Sequence, residues 1–508
     1  SRTNLGTRTV RLATSFEDSD RADEMQNTGF TRAAKFGIAI PMIVSVALVW
    51  LCQIVTDFPQ ALEPVQHGPA GVLIDNVRLI SMVPGAPDAE DSRSVLVMGD
   101  RIARVGAAGE ISPPEGVRII DGHGYSLMPG LIDAHIHLSD EAELAGYLAH
   151  GVTGVRNVSG YPFHLPLSER ISQGLILGPD FITTGPILNS PGPNENLLQQ
   201  TVTTAADARA AVRAQYDAGY RILKLYSNLT REAYHAILDE ADALGMRVMG
   251  HTPEGERGPG MPHEKPFEIP WEASLGKGFT TFEHVETVVW HSLRGEMDEN
   301  RMRAVAARLA ASGEAVTTTL IAHARLVLIA QTRGAYLDRP GADTINPLIR
   351  LAQRGEAKYW SEADPSAREG PRAEFLLAAT RLLHEAGVPL VAGSDAGIFA
   401  IIPGRSMARE LELIVEAGVS PLQALASATR TSAKILGFEQ TGVIASGYRA
   451  NLVLLPEDPL ARIGAVEFPA GVMVGGYWMD DDKLEELRGA ARDTSLIRSA
   501  WRALQMKF

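Results

Sequence analysis

The hydrophobic positions between residues 131 and 395 follow two alternating patterns. Short apolar runs rich in Val, Ile and Thr are typical of buried strands, and longer runs with helical spacing lie between several of them. The predicted strands are 131–138, 151–158, 179–185, 220–227, 246–251, 279–284, 314–320 and 388–395. The helical runs 205–219 and 231–245 both end on glycine, a common signal for the end of a helix. Eight strands alternating with helices over about 250 residues predict an α/β fold of the (β/α)8 TIM barrel type.

A doubly wound parallel sheet is the alternative α/β fold, but no glycine-rich dinucleotide-binding turn follows the first strand. Short strand-like runs occur on both sides of the barrel, in residues 71–128 and 438–480. We expect these two flanking segments to form one small β-sandwich domain, beside a barrel of residues 129–437. Residues 481–508 have the pattern of a C-terminal helix.

The N-terminal region contains an apolar segment, 36–55, which runs for twenty residues without a charge. This is about the length of a transmembrane helix, roughly 20 residues. Because Arg32 and Lys35 precede it, the positive-inside rule places a polar, disordered tail (1–35) in the cytoplasm and the bulk of the chain outside. Residues 56–70 contain three prolines and are predicted to be a linker. A cleaved signal peptide, which would give a secreted protein, is the alternative.

The composition of the chain limits its possible partners and metal ligands. The chain of 508 residues has a formal net charge of −14, which argues against nucleic acid as a partner. Its only cysteine, Cys52, excludes internal disulfides and a zinc site made of cysteines. Any metal ligands must therefore be His, Asp, Glu or a modified Lys.

Candidate metal ligands occur where the predicted strands end. His135 and His137 stand one residue apart on the first strand, so their side chains point to the same face. Four further polar residues fall at or near the ends of later strands: Lys224, His251, His284 and Asp395. Chemistry in a barrel enzyme lies at the carboxyl ends of the strands, so the pattern predicts one metal site there.

These residues stand in recognisable motifs: "PGLIDAHIHL" (129–138), "ILKLY" (222–226), "GHTPEG" (250–255), "FEHVE" (282–286) and "GSDAG" (393–397). With them, the chain over residues ~71–475 resembles the metal-dependent amidohydrolase superfamily, most closely its imidazolonepropionase-related and Xaa-Pro dipeptidase-like members. One departure is Asn451 in "RANLVLL", where the family commonly has aspartate.

The resemblance implies a binuclear centre of two divalent metal ions, with zinc as the expected metal. By this resemblance His135, His137 and Asp395 would bind one ion, His251 and His284 the other, and a carboxylated Lys224 would bridge them. The chemistry of lysine agrees, because burial disfavours the ammonium and leaves a neutral amine that reacts with CO₂.

In the mechanism that this centre implies, metal-activated hydroxide attacks the substrate carbonyl while Asp395 transfers the proton to the leaving nitrogen. Tyr226 lies two residues after Lys224 on the same strand face, and His323 follows the seventh strand. Both are candidates for contacting the substrate.

The leading functional prediction is a membrane-anchored, metal-dependent hydrolase that cleaves a C–N amide bond. The small-molecule substrate would be peptide-like, an N-acyl amino acid or a cyclic amide. A lactone, carbamate or phosphotriester hydrolase using the same site is the alternative. A non-catalytic scaffold barrel is disfavoured because all six ligand positions are filled. The resemblance also favours a homo-oligomer.

Overall fold

A computed structural model describes residues 58–63, 71–193, 195–196, 198–364 and 369–505. The predicted tail 1–35 and apolar anchor 36–55 lie outside these residues, as does most of the linker 56–70. Within the described part, no helix combines the length and the apolar character needed to cross a bilayer.

The chain alternates between strands and helices. The strands are β1 (Gly71–Leu79), β2 (Glu90–Met98), β3 (Arg101–Ala107), β4 (Arg118–Asp121), β5 (Ser126–Pro129), β6 (Leu131–Ile136), β7 (Val152–Asn157), β8 (Asp180–Thr183), β9 (Ile187–Asn189), β10 (Gln199–Thr201), β11 (Ile222–Leu225), β12 (Arg247–Gly250), β13 (Phe279–Glu283), β14 (Ala315–Thr317), β15 (Leu390–Val391), β16 (Leu452–Leu455), β17 (Gly471–Val474) and β18 (Tyr477–Asp480). The α-helices are α1 (Glu143–Ala149), α2 (His164–Ser172), α3 (Ala205–Asp217), α4 (Arg231–Leu244), α5 (Val285–Leu293), α6 (Glu299–Ser312), α7 (Ile321–Gln331), α8 (Pro347–Ala352), α9 (Arg354–Glu362), α10 (Glu369–Glu385), α11 (Ser406–Glu416), α12 (Pro421–Ser427), α13 (Arg430–Leu436), α14 (Asp481–Ala490) and α15 (Leu496–Leu504).

Local sequence explains where the helices begin and end. Thr204 and Asp207 form a capping box at the start of α3, in which each side chain bonds the other residue's backbone N–H. Gly245 ends α4 in the left-handed conformation (φ 65°), which glycine adopts without steric cost. These residues lie where the sequence pattern predicted the helix boundaries.

The barrel consists of eight parallel strands that belong to two hydrogen-bonded sheets, β6–β7–β8 and β11–β12–β13–β14–β15 with β9 and β10 added. Backbone hydrogen bonds join the two sheets at both of the edges where they meet. The Gly185 N–H donates to Ile222 O (2.9 Å), and the Ala134 N–H donates to Ala392 O (3.0 Å). Each of the eight strands lies inside its predicted range, and the arrangement is consistent with the predicted TIM barrel.

The segments before and after the barrel come together in one sheet. Strands β1–β5 and β16–β18 pair in a single eight-stranded sheet, in which β16 joins β5 antiparallel. Its core takes apolar side chains from both segments, among them Ile74, Val97 and Leu454. The predicted two-segment β unit is therefore present, although its strands form one sheet rather than the two separate sheets expected of a sandwich.

The C-terminal segment, predicted as one helix, forms two, and the second of them holds the loop after β6. Ser495 begins α15 by accepting a hydrogen bond from the Arg498 N–H (3.3 Å). The buried Arg498 guanidinium donates from Nη2 to Asp140 Oδ1 (2.7 Å) and from Nε to Asp140 Oδ2 (2.9 Å). Because Asp140 lies three residues after His137, α15 fixes the loop that follows the predicted metal ligands.

The departure at Asn451 has a structural reason. Asn451 donates from Nδ2 to Asp180 Oδ2 (2.8 Å) at the start of β8, and its Oδ1 accepts the Gly475 N–H (2.8 Å). Arg449 binds the same carboxylate from Nε (2.8 Å to Oδ2) and Nη2 (2.9 Å to Oδ1). An amide donates to one partner and accepts from the other, whereas an ionised aspartate can only accept, so asparagine matches this junction between the small sheet and the barrel.

We predict that Asn451→Asp lowers the free energy of unfolding by about 1–3 kcal/mol, because it places a second carboxylate against Asp180 and removes a buried hydrogen bond. Urea denaturation measures the change. The matched control is Asn300→Asp at an exposed position, which we expect to shift stability by less than about 0.5 kcal/mol. Equal stability of the two variants would contradict this account of the junction.

Candidate metal centre

Three of the predicted ligands form a compact cluster at the carboxyl end of β6. His135 lies within the strand and is fully buried, while His137 just after it is partly exposed. Asp395 Oδ1 is 3.4 Å from His135 Nε2 and 3.2 Å from His137 Nε2. One nitrogen or oxygen atom from each residue lies within 4.8 Å of the others, a spacing that allows all three to bind one cation.

The other two predicted histidines extend the same cluster. His251 directly follows β12 and His284 directly follows β13. The ring centroids of His251 and His284 are 4.7 Å apart, and those of His135 and His284 are 4.6 Å apart. The structure therefore brings the four imidazoles predicted from the sequence into one continuous group.

Lys224 lies on β11 and is almost completely buried. It is close enough to the cluster for its positive charge to depress the pKa of His135, His251 and His284. Burial in turn lowers the pKa of the Lys224 ammonium to about 8, although the charges of Glu283 and Asp395 act in the opposite direction. With a pKa of about 8, roughly a tenth of the amine is uncharged at pH 7, far more than for an ordinary lysine.

Two of the predicted ligands adopt a backbone conformation that non-glycine residues rarely adopt. His284 has φ 67° and Asp395 has φ 60°, both in the left-handed region. Regular strand alternation would send the His284 side chain away from the face used by Glu283, its neighbour in the chain. The positive φ breaks this alternation, so that both side chains reach the cluster. Such strain is typical of functional sites.

Each imidazole is held through its Nδ1 atom. The Nδ1 of His137 is hydrogen-bonded to Ser159 Oγ (2.9 Å), and the Nδ1 of His251 is hydrogen-bonded to Thr287 Oγ1 (3.1 Å). The Thr319 hydroxyl donates to Thr318 O (2.9 Å), so its oxygen accepts the Nδ1–H of His284 (2.6 Å). That proton position leaves the lone pair of His284 on Nε2, the atom available to a metal.

Glu283 was not predicted from the sequence, yet it is the partner of His135. Its carboxylate accepts the His135 Nδ1–H, and it also accepts from Arg156 Nη2 (2.8 Å). Burial raises the pKa of Glu283, but Arg156 and Lys224 outweigh burial and keep it below its usual value. An ionised carboxylate only accepts, so His135 carries its proton on Nδ1. The Glu-His dipeptide in "FEHVE" was the available signal.

The protonation states suit metal binding. Burial lowers the pKa of His284 to about 4 and those of His135 and His251 well below the usual histidine value. Burial raises the pKa of Asp395, but the nearby His135, His137 and His284 outweigh it and hold it below its usual range. Neutral imidazoles with an ionised carboxylate are the forms that bind divalent cations.

The environment of His135 Nε2, the atom predicted to bind a metal, shows whether a metal ion fits here. Its Nε2 is buried and, within the described part of the chain, accepts no hydrogen bond. A buried nitrogen lone pair without a partner is unfavourable. A cation bound between His135, His137 and Asp395 satisfies it, so the residues present fit a metal ion.

The two predicted substrate contacts are placed differently. Tyr226 directly follows β11 and its ring centroid lies 4.2 Å from that of His251, beside the cluster. His323 is buried near the start of α7, the helix after β14. The assignment of either residue to substrate binding stays a prediction.

The fold and the site together define a class of protein: a parallel α/β barrel with a histidine- and carboxylate-rich metal site at the carboxyl ends of its strands. More narrowly, the chain belongs to the amidohydrolase family, whose model matches residues 126–479. It is therefore an amidohydrolase, a hydrolase acting on C–N bonds, and the superfamily predicted from the motifs is confirmed.

The relatives of this chain are diverse. It is 24% identical over 405 residues to the imidazolonepropionase of Rubrobacter xylanophilus, covering 71% of this chain and 84% of the relative. Among solved structures it is similar to a bottromycin amidohydrolase (TM-score 0.69, 23% identity, covering 86% of this chain and 96% of that one). It is also similar to a Xaa-Pro dipeptidase with methionine in its active site (TM-score 0.60, 20% identity, covering 81% and 100%). At these identities the structural similarity shows the fold.

We predict that Thr319→Val weakens zinc binding by about 10-fold or more, because it removes the hydroxyl that orients His284 while keeping the side chain's shape. Competition with a chromophoric chelator measures the affinity. Thr332→Val is the control, since Thr332 is exposed and its hydroxyl bonds only backbone groups near the end of α7: it donates to Leu328 O and Ile329 O and accepts from the Tyr336 N–H. If both variants bound zinc as tightly as the wild type, Thr319 would have no orienting role.

Proposed function

We propose that this chain is a hydrolase with a binuclear metal centre that cleaves the C–N amide bond of a small peptide-like, N-acylated or cyclic amide substrate. The observation that carries the proposal is the convergence of four imidazoles, Asp395 and Lys224 at one edge of the barrel. In this proposal one ion is held by His135, His137 and Asp395, and the other by His251 and His284. Zinc is the proposed metal because imidazole and carboxylate ligands suit it.

Lys224 is proposed to bridge the two ions as a carbamate. An unmodified amine offers one ligand atom, whereas the carbamate formed from lysine and CO₂ is an anion with two oxygens. The lowered pKa of Lys224, about 8, supports this chemistry because the neutral amine is the form that reacts with CO₂. Its nearly complete burial disfavours the alternative, a permanently charged ammonium.

Bound divalent ions would supply Lewis acidity, which lowers the pKa of water and polarises an amide carbonyl. The protein's own residues do the rest. Asp395 is ionised, lies next to two histidine Nε2 atoms, and is placed to accept a proton from the attacking water. It then returns that proton to the leaving nitrogen. The hydrogen bonds to each Nδ1 keep the four imidazoles in the orientation that this step requires.

We predict that purified protein prepared with bicarbonate contains close to two metal ions per chain, and that Lys224→Ala loses at least one of them. Plasma mass spectrometry measures the metal content. The control is Lys434→Ala on the exposed side of α13, which should retain both ions. One ion per chain in both the wild type and Lys224→Ala would contradict the bridging role.

A substrate panel tests the bond that is cleaved. We expect the metal-loaded enzyme to hydrolyse dipeptides, N-acyl amino acids or cyclic amides, and Asp395→Asn to lose about 100-fold or more in kcat while keeping the fold. Lactones, carbamates and phosphotriesters belong in the same panel. Turnover of only those compounds would replace the amide proposal with the alternative chemistry.

For localisation we propose that residues 36–55 anchor the chain in a membrane, with the catalytic part outside the cytoplasm. The proposal rests on the charge-free run of twenty residues with Arg32 and Lys35 before it. Carbonate extraction of membranes from expressing cells tests it: an anchored chain stays in the pellet with its N-terminus intact. Release of a shortened chain would favour a cleaved signal peptide instead. The homo-oligomer stays a prediction.

A further inference from the structure

Arg325 is a buried cation at the carboxyl end of the barrel that the proposed mechanism does not use. It lies on α7, the helix that follows β14, and is 5% exposed. Its Nε donates to Phe399 O (2.9 Å), and its guanidinium carbon lies 4.8 Å from the centre of the Phe399 ring. Nη1 is also buried, and no acceptor for it exists among the described residues.

Two other buried arginines are each paired with a carboxylate, whereas Arg325 has no such pair among the described residues. Arg156 is paired with Glu283 and Arg498 with Asp140, both at 2.7–2.8 Å. Within the described residues, no carboxylate oxygen lies within 4 Å of a guanidinium nitrogen of Arg325. Burial lowers its pKa to about 10, and the carboxylates of Asp395 and Glu356 offset this only from a distance. A buried guanidinium with an unused donor is costly unless an anion completes it.

The position of Arg325 relates it to the proposed reaction centre. The Arg325 guanidinium donates to the Phe399 carbonyl and lies over the Phe399 ring. Phe399 lies four residues after Asp395 in the same loop. The helix that carries Arg325 begins two residues after Thr319, the hydroxyl partner of His284. Arg325 thus lies on the helix that follows Thr319 and contacts the loop that follows Asp395.

The guanidinium selects a particular kind of anion. Its planar N–H groups match a carboxylate, which can accept two parallel hydrogen bonds. In an N-acyl amino acid or a dipeptide, the free carboxylate is attached to the carbon next to the scissile nitrogen. A substrate bound with its amide carbonyl at the centre therefore has its negative charge only a few bonds away.

We propose that Arg325 binds the free α-carboxylate of the substrate's leaving amino acid. This rests on the proposed amide hydrolysis and narrows it to N-acyl amino acids and dipeptides with a free C-terminal carboxylate. Cyclic or neutral amides lack the group that completes the buried guanidinium. A purely structural Arg325, which only holds the Phe399 loop, is the competing explanation.

Paired substrates separate these two roles. Each N-acetyl amino acid of a panel is compared with its C-terminal amide, which keeps the scissile bond and removes the charge. We expect the wild type to prefer the acid, and Arg325→Met to lower kcat/KM for the acid by about 100-fold while changing the amide by less than about 3-fold. Arg325→Lys should recover part of the activity on the acid, since it keeps the charge without the planar fork.

Arg339→Met is the matched control, because Arg339 also holds this loop, through a hydrogen bond from Nη2 to Ala400 O (2.6 Å). It should affect the acid and the amide equally. Equal losses on both substrates in Arg325→Met, or a wild type that does not distinguish them, would overturn the proposal. Metal content is measured in every variant, so that a lost centre is not mistaken for lost carboxylate recognition.

A second experiment does not depend on turnover: calorimetry measures the affinity of the metal-loaded protein for the same N-acetyl amino acids. Binding to the wild type but not to Arg325→Met supports the carboxylate site even if no amide is hydrolysed, in which case only the proposed reaction fails. If no acid of the panel binds or reacts with the metal-loaded wild type, the proposal is wrong.

Discussion

The buried ion pair between Arg156 and Glu283 is the interaction on which the centre of this barrel depends. Arg156 donates to Ala134 O on β6, to the Thr281 hydroxyl and Glu283 on β13, and to the Thr317 hydroxyl on β14. One side chain on β7 thereby connects three other strands from inside. Removing one member of such a pair leaves an uncompensated buried charge, which costs about 3–5 kcal/mol.

The same ion pair links the fold to the chemistry. Glu283 remains ionised because Arg156 compensates it, and an ionised Glu283 fixes the proton of His135 on Nδ1. The stability of the barrel interior and the readiness of His135 to bind a metal therefore have one cause. At the strand ends, by contrast, the candidate site lowers the stability of the fold. The left-handed backbone at His284 and Asp395 costs about 1–3 kcal/mol each, and this conformation directs the two side chains toward the cluster.

The sequence predicted the barrel strands and the clustering of the candidate ligands because both depend on local order. Strand periodicity locates the strand ends, and parallel topology brings those ends together, so His135, Lys224 and Asp395 could be placed on one edge without a structure. Glu283, Thr319 and the role of Asn451 could not be found in this way. Their effect lies in hydrogen bonds to residues distant in the chain, such as the Asn451–Asp180 contact across 271 positions. The short helices α8 and α9 and the break between α14 and α15 were also missed, since helices of only six to ten residues depend mainly on tertiary contacts for their stability.

We propose above all that two metal ions occupy the site, held by the residues that the strand ends bring together. Anomalous X-ray diffraction at the zinc absorption edge, on crystals grown with zinc and bicarbonate, tests it most directly. The account predicts two anomalous peaks, one between His135, His137 and Asp395 and one beside His251 and His284, with additional density on Lys224 Nζ. A single peak with an unmodified Lys224, or peaks elsewhere on the molecule, would contradict it.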